Sequence, residues 1–335
     1  MKRIFCSILA GSLLVLSLAG CQKESETLIP VTLNEVAHSI FYAPQYAAIE
    51  LGYFEEEGID LTLVNGNGAD KVMTALISGD ADIGFMGSEA SIYTYAQGSE
   101  DYGVNFAQLT QRAGNFLVGR KPEADFKWEN LIGTKVLGGR AGGMPQMVFE
   151  YILKKNGIDP NTDLEIDQSI SFGLTAAAFT NDDSDYTVEF EPYATSLEQE
   201  GAGYVVASLG TDSGYVPYTA YCAKKSYLEQ NPDIIQKFTN AIQKGLNYVN
   251  SHTPEEIAKT IQPQFQETDV DTIATIVGRY QSQDTWKGDT IFQEESFDLL
   301  QNILEEAGEL EERVPYEKLV TTEFAKTAVS EAGTR

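Results

Sequence analysis

The sequence predicts an α/β protein of two lobes with a ligand cleft between them. Three observations point there. Strand and helix patterns alternate over residues 29–97, and the same alternation restarts at Lys135. Two short apolar segments, 116–118 and 219–223, stand where the chain passes from one lobe to the other and back. Strand–helix–strand spacing of this kind implies right-handed crossovers and a parallel sheet. The length of 335 residues agrees, because a single core rarely grows beyond about 250–300 residues. Lobe one is expected over 28–115 and 221–335, and lobe two over 116–220.

In the first lobe, residues 29–33 read as a strand and 42–51 as a helix stopped by Gly52. Residues 60–64 alternate as a second strand, and Asn65-Gly66-Asn67-Gly68 forms a turn. A helix over 70–78 closes at Gly79. Residues 81–85 and 88–97 supply a third strand and a third helix. In the second lobe, 135–137 is a strand and the glycine-rich loop 138–143 leads into a helix over 145–155, ended by Asn156-Gly157. A strand over 164–167, a helix over 174–179 and a strand over 187–190 complete it. The C-terminal third is helical. Asn231-Pro232 places a cap and a first-turn proline, followed by an apolar stripe of Ile234, Phe238, Ile242, Leu246 and Val249. Thr253-Pro254-Glu255-Glu256 reads as a capping box.

Composition narrows the function. The net charge of −27 argues against nucleic acid, whose phosphates need a basic footprint. It argues equally against a basic patch docking on anionic lipid. Two His and three Cys leave little for a Cys/His cage, so no metal and no cofactor is expected. Lys2 and Arg3 precede an apolar run over 4–18, then Leu18-Ala19-Gly20-Cys21. That is secretory-signal anatomy, and fifteen residues fall short of the ~20 that span a bilayer. The tetrapeptide resembles the bacterial lipobox, which implies a signal over 1–20, lipidation of Cys21 and a polar tether over 21–27. The protein is then expected on the outer face of the cell membrane, or in the periplasm of a Gram-negative cell. Cys6 leaves with the signal and Cys21 is the anchor, so Cys222 has no disulfide partner within the chain. With 21 cationic against 50 acidic residues, the mature chain carries −29.

Further motifs carry a family resemblance. Phe41-Tyr42-Ala43-Pro44-Gln45-Tyr46-Ala47-Ala48 and Glu50-Leu51-Gly52-Tyr53-Phe54-Glu55-Glu56-Glu57-Gly58-Ile59-Asp60 resemble the opening of ABC-importer solute-binding proteins of the thiamine-pyrimidine-precursor and alkanesulfonate type. The resemblance continues at residues 75–84, at Asn130-Leu131-Ile132-Gly133-Thr134-Lys135-Val136 and at Glu191-Pro192-Tyr193-Ala194. It implies a type II periplasmic-binding-protein-like clamshell, monomeric, that captures a small solute and passes it to a permease and its ATPase. Two departures stand out. Asn34-Glu35 replaces the Asp-Trp pair that often opens the pyrimidine binders, and residues 180–185 replace a short glycine turn.

Ligands of such sheets sit beyond the carboxyl ends of strands, which selects four segments. In the first, Phe41 and Tyr42 suit stacking on a planar ring, one facing the cleft and the other the core. His38 offers a donor there. In the second, Ser88 reads as an N-cap and Glu89 opens the helix. In the third, Gly139, Gly142 and Gly143 let backbone N–H groups approach a ligand, and Arg140 adds charge. The loop matches neither phosphate-binding fingerprint. In the fourth, alternation puts Glu189 and Glu191 on one face, where buried strand-end carboxylates imply N–H donors on the ligand. Glu191 matches the family's Glu-Pro position and is the stronger candidate. Tyr218 adds an aromatic wall. Together these favour a planar heterocycle, a thiamine-related pyrimidine precursor first and a flavin-like ring second. An alkanesulfonate or nitrate binder of the same fold is the alternative, and a pyrimidine-metabolism enzyme is the rival from another class. For catalysis no nucleophile–base pair is visible: Cys222 is placed on a hinge strand, His252 precedes the capping box, and Lys71 is the one lysine near a candidate loop.

Overall fold

The computed structural model describes residues 27–170 and 173–332. The expected signal, Cys21 and most of the tether lie outside them. Ten strands build two sheets. β1 (Ile29–Glu35), β2 (Ile59–Asn65), β3 (Ile83–Met86), β4 (Gly103–Thr110) and β10 (Thr219–Lys224) form the first, in the order β2-β1-β3-β10-β4. β5 (Phe116–Gly119), β6 (Lys135–Leu137), β7 (Glu165–Asp167), β8 (Tyr186–Glu189) and β9 (Tyr204–Ser208) form the second, in the order β7-β6-β8-β5-β9.

The expected parallel sheet is corrected to two mixed ones. β1 runs parallel to β2 and β3, and β6 to β7 and β8, but β10 is antiparallel to β3 and β4, and β5 to β8 and β9. The reason is directional. β1, β3, β6 and β8 run toward the gap between the sheets. A strand arriving from the other sheet begins at that gap and runs away from it: Phe116 starts beside Glu189, and Ala220 pairs with Met86. The segments read as crossings are therefore the strands β5 and β10, apolar because they are buried in the sheets. The chain crosses over residues 111–115 and 209–218. Cys222 belongs to the interior of β10, with its thiol raised by burial.

β4 and β9 went unread. β4 is buried throughout although it carries Asn105 and Gln108. Asn105 Nδ2 donates to Ser91 Oγ (2.8 Å) and Leu319 O (3.1 Å), which only distant elements supply. The helix Pro232–Ser251 buries Phe238, Ile242, Leu246 and Val249, with Ile235 in place of the half-buried Ile234. Asn231 does not cap it through its side chain, which donates to Tyr227 O instead. The capping box is present: Thr253 N donates to Glu256 Oε2 (2.9 Å) and Glu256 N to Thr253 Oγ1 (3.3 Å).

The same long helix packs against Ala43–Glu50 through Gly245. A Cβ at Gly245 would lie 2.2 Å from Pro44 O and 2.9 Å from Ala48 Cβ. Gly245→Ala gains about 1 kcal/mol of helix propensity, but separating two packed helices costs roughly 1–3 kcal/mol. The clash at 2.2 Å is with backbone, which puts the cost at the upper end of that range, so a net loss of up to about 2 kcal/mol is expected in urea unfolding. A variant as stable as wild type would show that the helices separate freely.

Candidate functional site

The gap where the two sheets face each other is a cavity lined from both sides and from the crossings. Its atom-free space, open mouth included, is about 880 Å³. Tyr42, Gly87 and Glu89 line it from the first sheet's side; Gly139, Arg140, Gly143, Thr175, Glu189, Phe190 and Tyr193 line it from the second; Asn115 and Tyr218 come from the crossings. The Tyr42 ring stands edge-on to Phe85 at 4.5 Å, and Tyr218 Oη donates to Asn115 Oδ1 at 2.5 Å. Burial keeps both phenols protonated.

Two carboxyl groups dominate the walls. Glu189 ends β8, where Thr187 Oγ1 (2.6 Å) and Thr175 Oγ1 (3.0 Å) each donate to one of its oxygens. Glu89 opens the helix Glu89–Ala96, is 3% exposed, and its Oε2 has no hydrogen-bond partner among the described residues. Burial pushes each carboxyl up to about 7, opposed at Glu89 by its own backbone N–H and then by Arg140, and at Glu189 by the two threonine hydroxyls. A Cβ at Gly87 would sit 2.1 Å from Glu89 Oε2, so a larger residue there would push the carboxyl aside. Arg140 lies exposed at the mouth, 3.9 Å from Asp70.

Of the residues singled out in the sequence, Tyr42, Glu89, Gly139, Arg140, Gly143, Glu189 and Tyr218 line the cavity, and five others do not. His38 sits on a different network: Nδ1 meets Glu35 Oε1 (2.8 Å), Nε2 meets Gln264 O (2.8 Å), and the ring stacks on Phe265. Both ring nitrogens face acceptors, and the bond to Glu35 raises the imidazole's pKa. Phe41 is the core member of its pair, packed among Tyr42, Phe190, Tyr218 and Tyr280. Ser88 makes no side-chain cap; its Oγ donates to Pro217 O at 2.8 Å. Gly142 faces Glu309, and its N–H donates to Gln146 Oε1.

Glu191 is the main correction. β8 ends at Glu189, and the chain turns before Pro192, so the alternation that paired the two carboxylates stops. Glu191 instead accepts from Thr195 N, Thr195 Oγ1 and Arg279 Nη1 (2.9, 2.9 and 2.8 Å), away from the cavity lining. Asn115, Thr175 and Phe190 also line the cavity, although no motif marks them as site residues. Thr175 is marked by nothing local, because its partner Glu189 lies 14 residues on.

Two sheets of matching strand order, facing each other across a lined cavity and joined by two crossings, define the periplasmic-binding-protein class of fold. The alkanesulfonate-binding protein SsuA from Xanthomonas axonopodis pv. citri bound to MOPS superposes with a TM-score of 0.70 at 14% identity, covering 88% of this chain and 98% of that one. The chain belongs to the NMT1/THI5-like family, whose model matches residues 40–257, as the motifs of the sequence indicate. It is 46% identical over 318 residues to a protein of Bacillus subtilis (strain 168) named "Putative binding protein YtlA", 95% of each chain being covered. It is 24% identical over 224 residues to 4-amino-5-hydroxymethyl-2-methylpyrimidine phosphate synthase of Aspergillus parasiticus, covering 62% of this chain and 63% of that protein.

Proposed function

We propose that this protein is the extracytoplasmic solute-binding component of an ABC importer. It captures a small planar heterocycle rich in N–H donors, a thiamine-related pyrimidine precursor first, and hands it to a permease and its ATPase. The observation that carries the reading is the pair of buried carboxyl groups, Glu89 and Glu189, on the walls of an aromatic-lined cavity. An anion such as a sulfonate or nitrate needs donors and a positive field, whereas unscreened like charges repel. The one arginine of the lining, Arg140, lies exposed at the mouth beside an aspartate. The likeness to a named binding protein over 95% of the chain supports capture rather than turnover. In this reading Cys21 carries the lipid anchor and the protein works as a monomer. Lobe one spans 28–115 with 221–335, lobe two spans 116–220, and the lobes close on the ligand about the two crossings.

The test is thermal unfolding of the 22–335 fragment against 4-amino-5-hydroxymethyl-2-methylpyrimidine, thiamine, flavins, alkanesulfonates and nitrate. A ligand at 100 times its Kd stabilises by about 2.7 kcal/mol, several degrees for a chain of this size. A shift with the pyrimidine, with no product formed, is the expected result. If sulfonate or nitrate alone shifts the midpoint, the reading of the carboxyl groups fails. Small-angle scattering that stays unchanged at saturation would count against lobe closure.

A further inference from the structure

Resting on that reading, we infer that Glu89 is the specificity-determining residue of the cleft. Its carboxyl group takes a ligand edge made of a ring nitrogen beside an exocyclic amine, sharing one proton across a paired hydrogen bond. The ligand class is thus an amino-substituted nitrogen heteroaromatic.

Four buried carboxyl groups lie in or beside the cleft, and their partners separate them; Glu35 is held by His38, Gln45 and Tyr46. Both oxygens of Glu189 already accept from threonine hydroxyls, and both oxygens of Glu191 accept from Thr195, with Arg279 added. Glu89 Oε2 alone among them lacks a partner among the described residues, on a side chain 3% exposed that lines the cavity. Buried polar atoms are rarely left unpaired, so the missing partner is a ligand atom. A protonated carboxyl offers one donor and one acceptor side by side. The ring-nitrogen and amine edge is its complement, and a sulfonate or nitrate, all acceptors, is not.

The surroundings suit a shared proton. Burial holds the Glu89 carboxyl at about 7, where protonated and ionised forms are both populated. The charged group acting on it is Arg140, from the loop 138–143, which itself lies 3.9 Å from Asp70. Tyr42, Tyr93 and Tyr218 are held protonated by burial, and Glu309 acts on Tyr93 from the C-terminal segment. Glu189 is the second titrating group of the cavity.

The experiment is calorimetric titration of the purified protein with 4-amino-5-hydroxymethyl-2-methylpyrimidine and with the same ring lacking the amine, from pH 6 to 9. The amine-bearing ring is expected to bind about 10–100-fold tighter, as befits one buried hydrogen bond. Above about pH 8 its affinity should fall about tenfold per unit, because the shared proton is lost. Glu89→Gln keeps binding, since an amide also pairs such an edge, but its pH slope disappears. Glu89→Leu loses both binding and slope, with circular dichroism as the control for folding. Equal binding of the two rings, or a wild-type slope in Glu89→Gln, overturns the assignment to Glu89 while leaving the heterocycle reading intact. Silence with both rings alongside binding of an alkanesulfonate brings down both.

Discussion

Arg279→Met is expected to cost about 3 kcal/mol of stability and to weaken ligand binding. Arg279 projects from the helix Val270–Ser282, where its guanidinium joins Glu191 Oε1 (2.8 Å), Thr195 Oγ1 (3.0 Å) and Glu198. The Glu191 side chain is fully buried, and Arg279 is half-buried. Removing one partner of a buried pair typically costs about 3–5 kcal/mol, because the surviving charge has no solvent to turn to. Two hydrogen bonds from Thr195 remain on Glu191, which places the expectation at the lower end. Glu191 follows Glu189 by two residues, and Ser39 Oγ, just beyond β1, donates to its carbonyl (3.0 Å). A displaced Glu191 therefore moves a cavity wall. Urea unfolding of Arg279→Met, Glu191→Gln and the double variant checks this. The double variant should be more stable than the sum of the two losses predicts. A single-variant loss below about 1 kcal/mol would show that the pair behaves like an exposed one.

Phe41→Ala is expected to lose about 3–5 kcal/mol, the range for truncating a buried phenylalanine. The ring is fully buried and touches Tyr42, Phe190, Tyr218 and Tyr280 with centroids 5.1–5.9 Å away. Gly114 exists to admit it: a Cβ there would sit 2.7 Å from the ring. Three of its four neighbours, Tyr42, Phe190 and Tyr218, also line the cavity, so the truncation leaves a void directly behind the ligand wall. Affinity for the aminopyrimidine should fall together with the urea midpoint. Phe41→Leu, which fills most of the space, should recover most of both. A Phe41→Ala protein with wild-type affinity would show that the wall keeps its shape without support from behind.

Local signals were enough for most elements and for the family. Residues 135–137 form the strand expected of them, and the Thr253 box closes as its four residues imply. Such features depend on backbone groups within one turn or on strict alternation, so the chain states them locally. The site was only half legible. Tyr42, Glu89 and Glu189 were picked out because they stand at strand ends or helix starts, where a parallel arrangement leads to the gap. His38 looked like a ligand donor until Gln264 O, 226 residues away, was found at its second nitrogen. Which carboxylate near the end of β8 faces the cavity depended on where the strand stops, and Arg279, 88 residues on, took the other.

The amino-acid sequence by itself determined the alternation of strands and helices, the division into two repeating halves and the family, because these are written in local periodicity and in the order of short motifs. The tertiary structure alone decided that both sheets are mixed, since a strand entering from the opposite sheet must run away from the gap. It alone decided which buried carboxyl keeps an oxygen with no hydrogen-bond partner among the described residues. That depends on which hydroxyl and guanidinium groups folding brings within 3 Å, and no spacing along the chain records it.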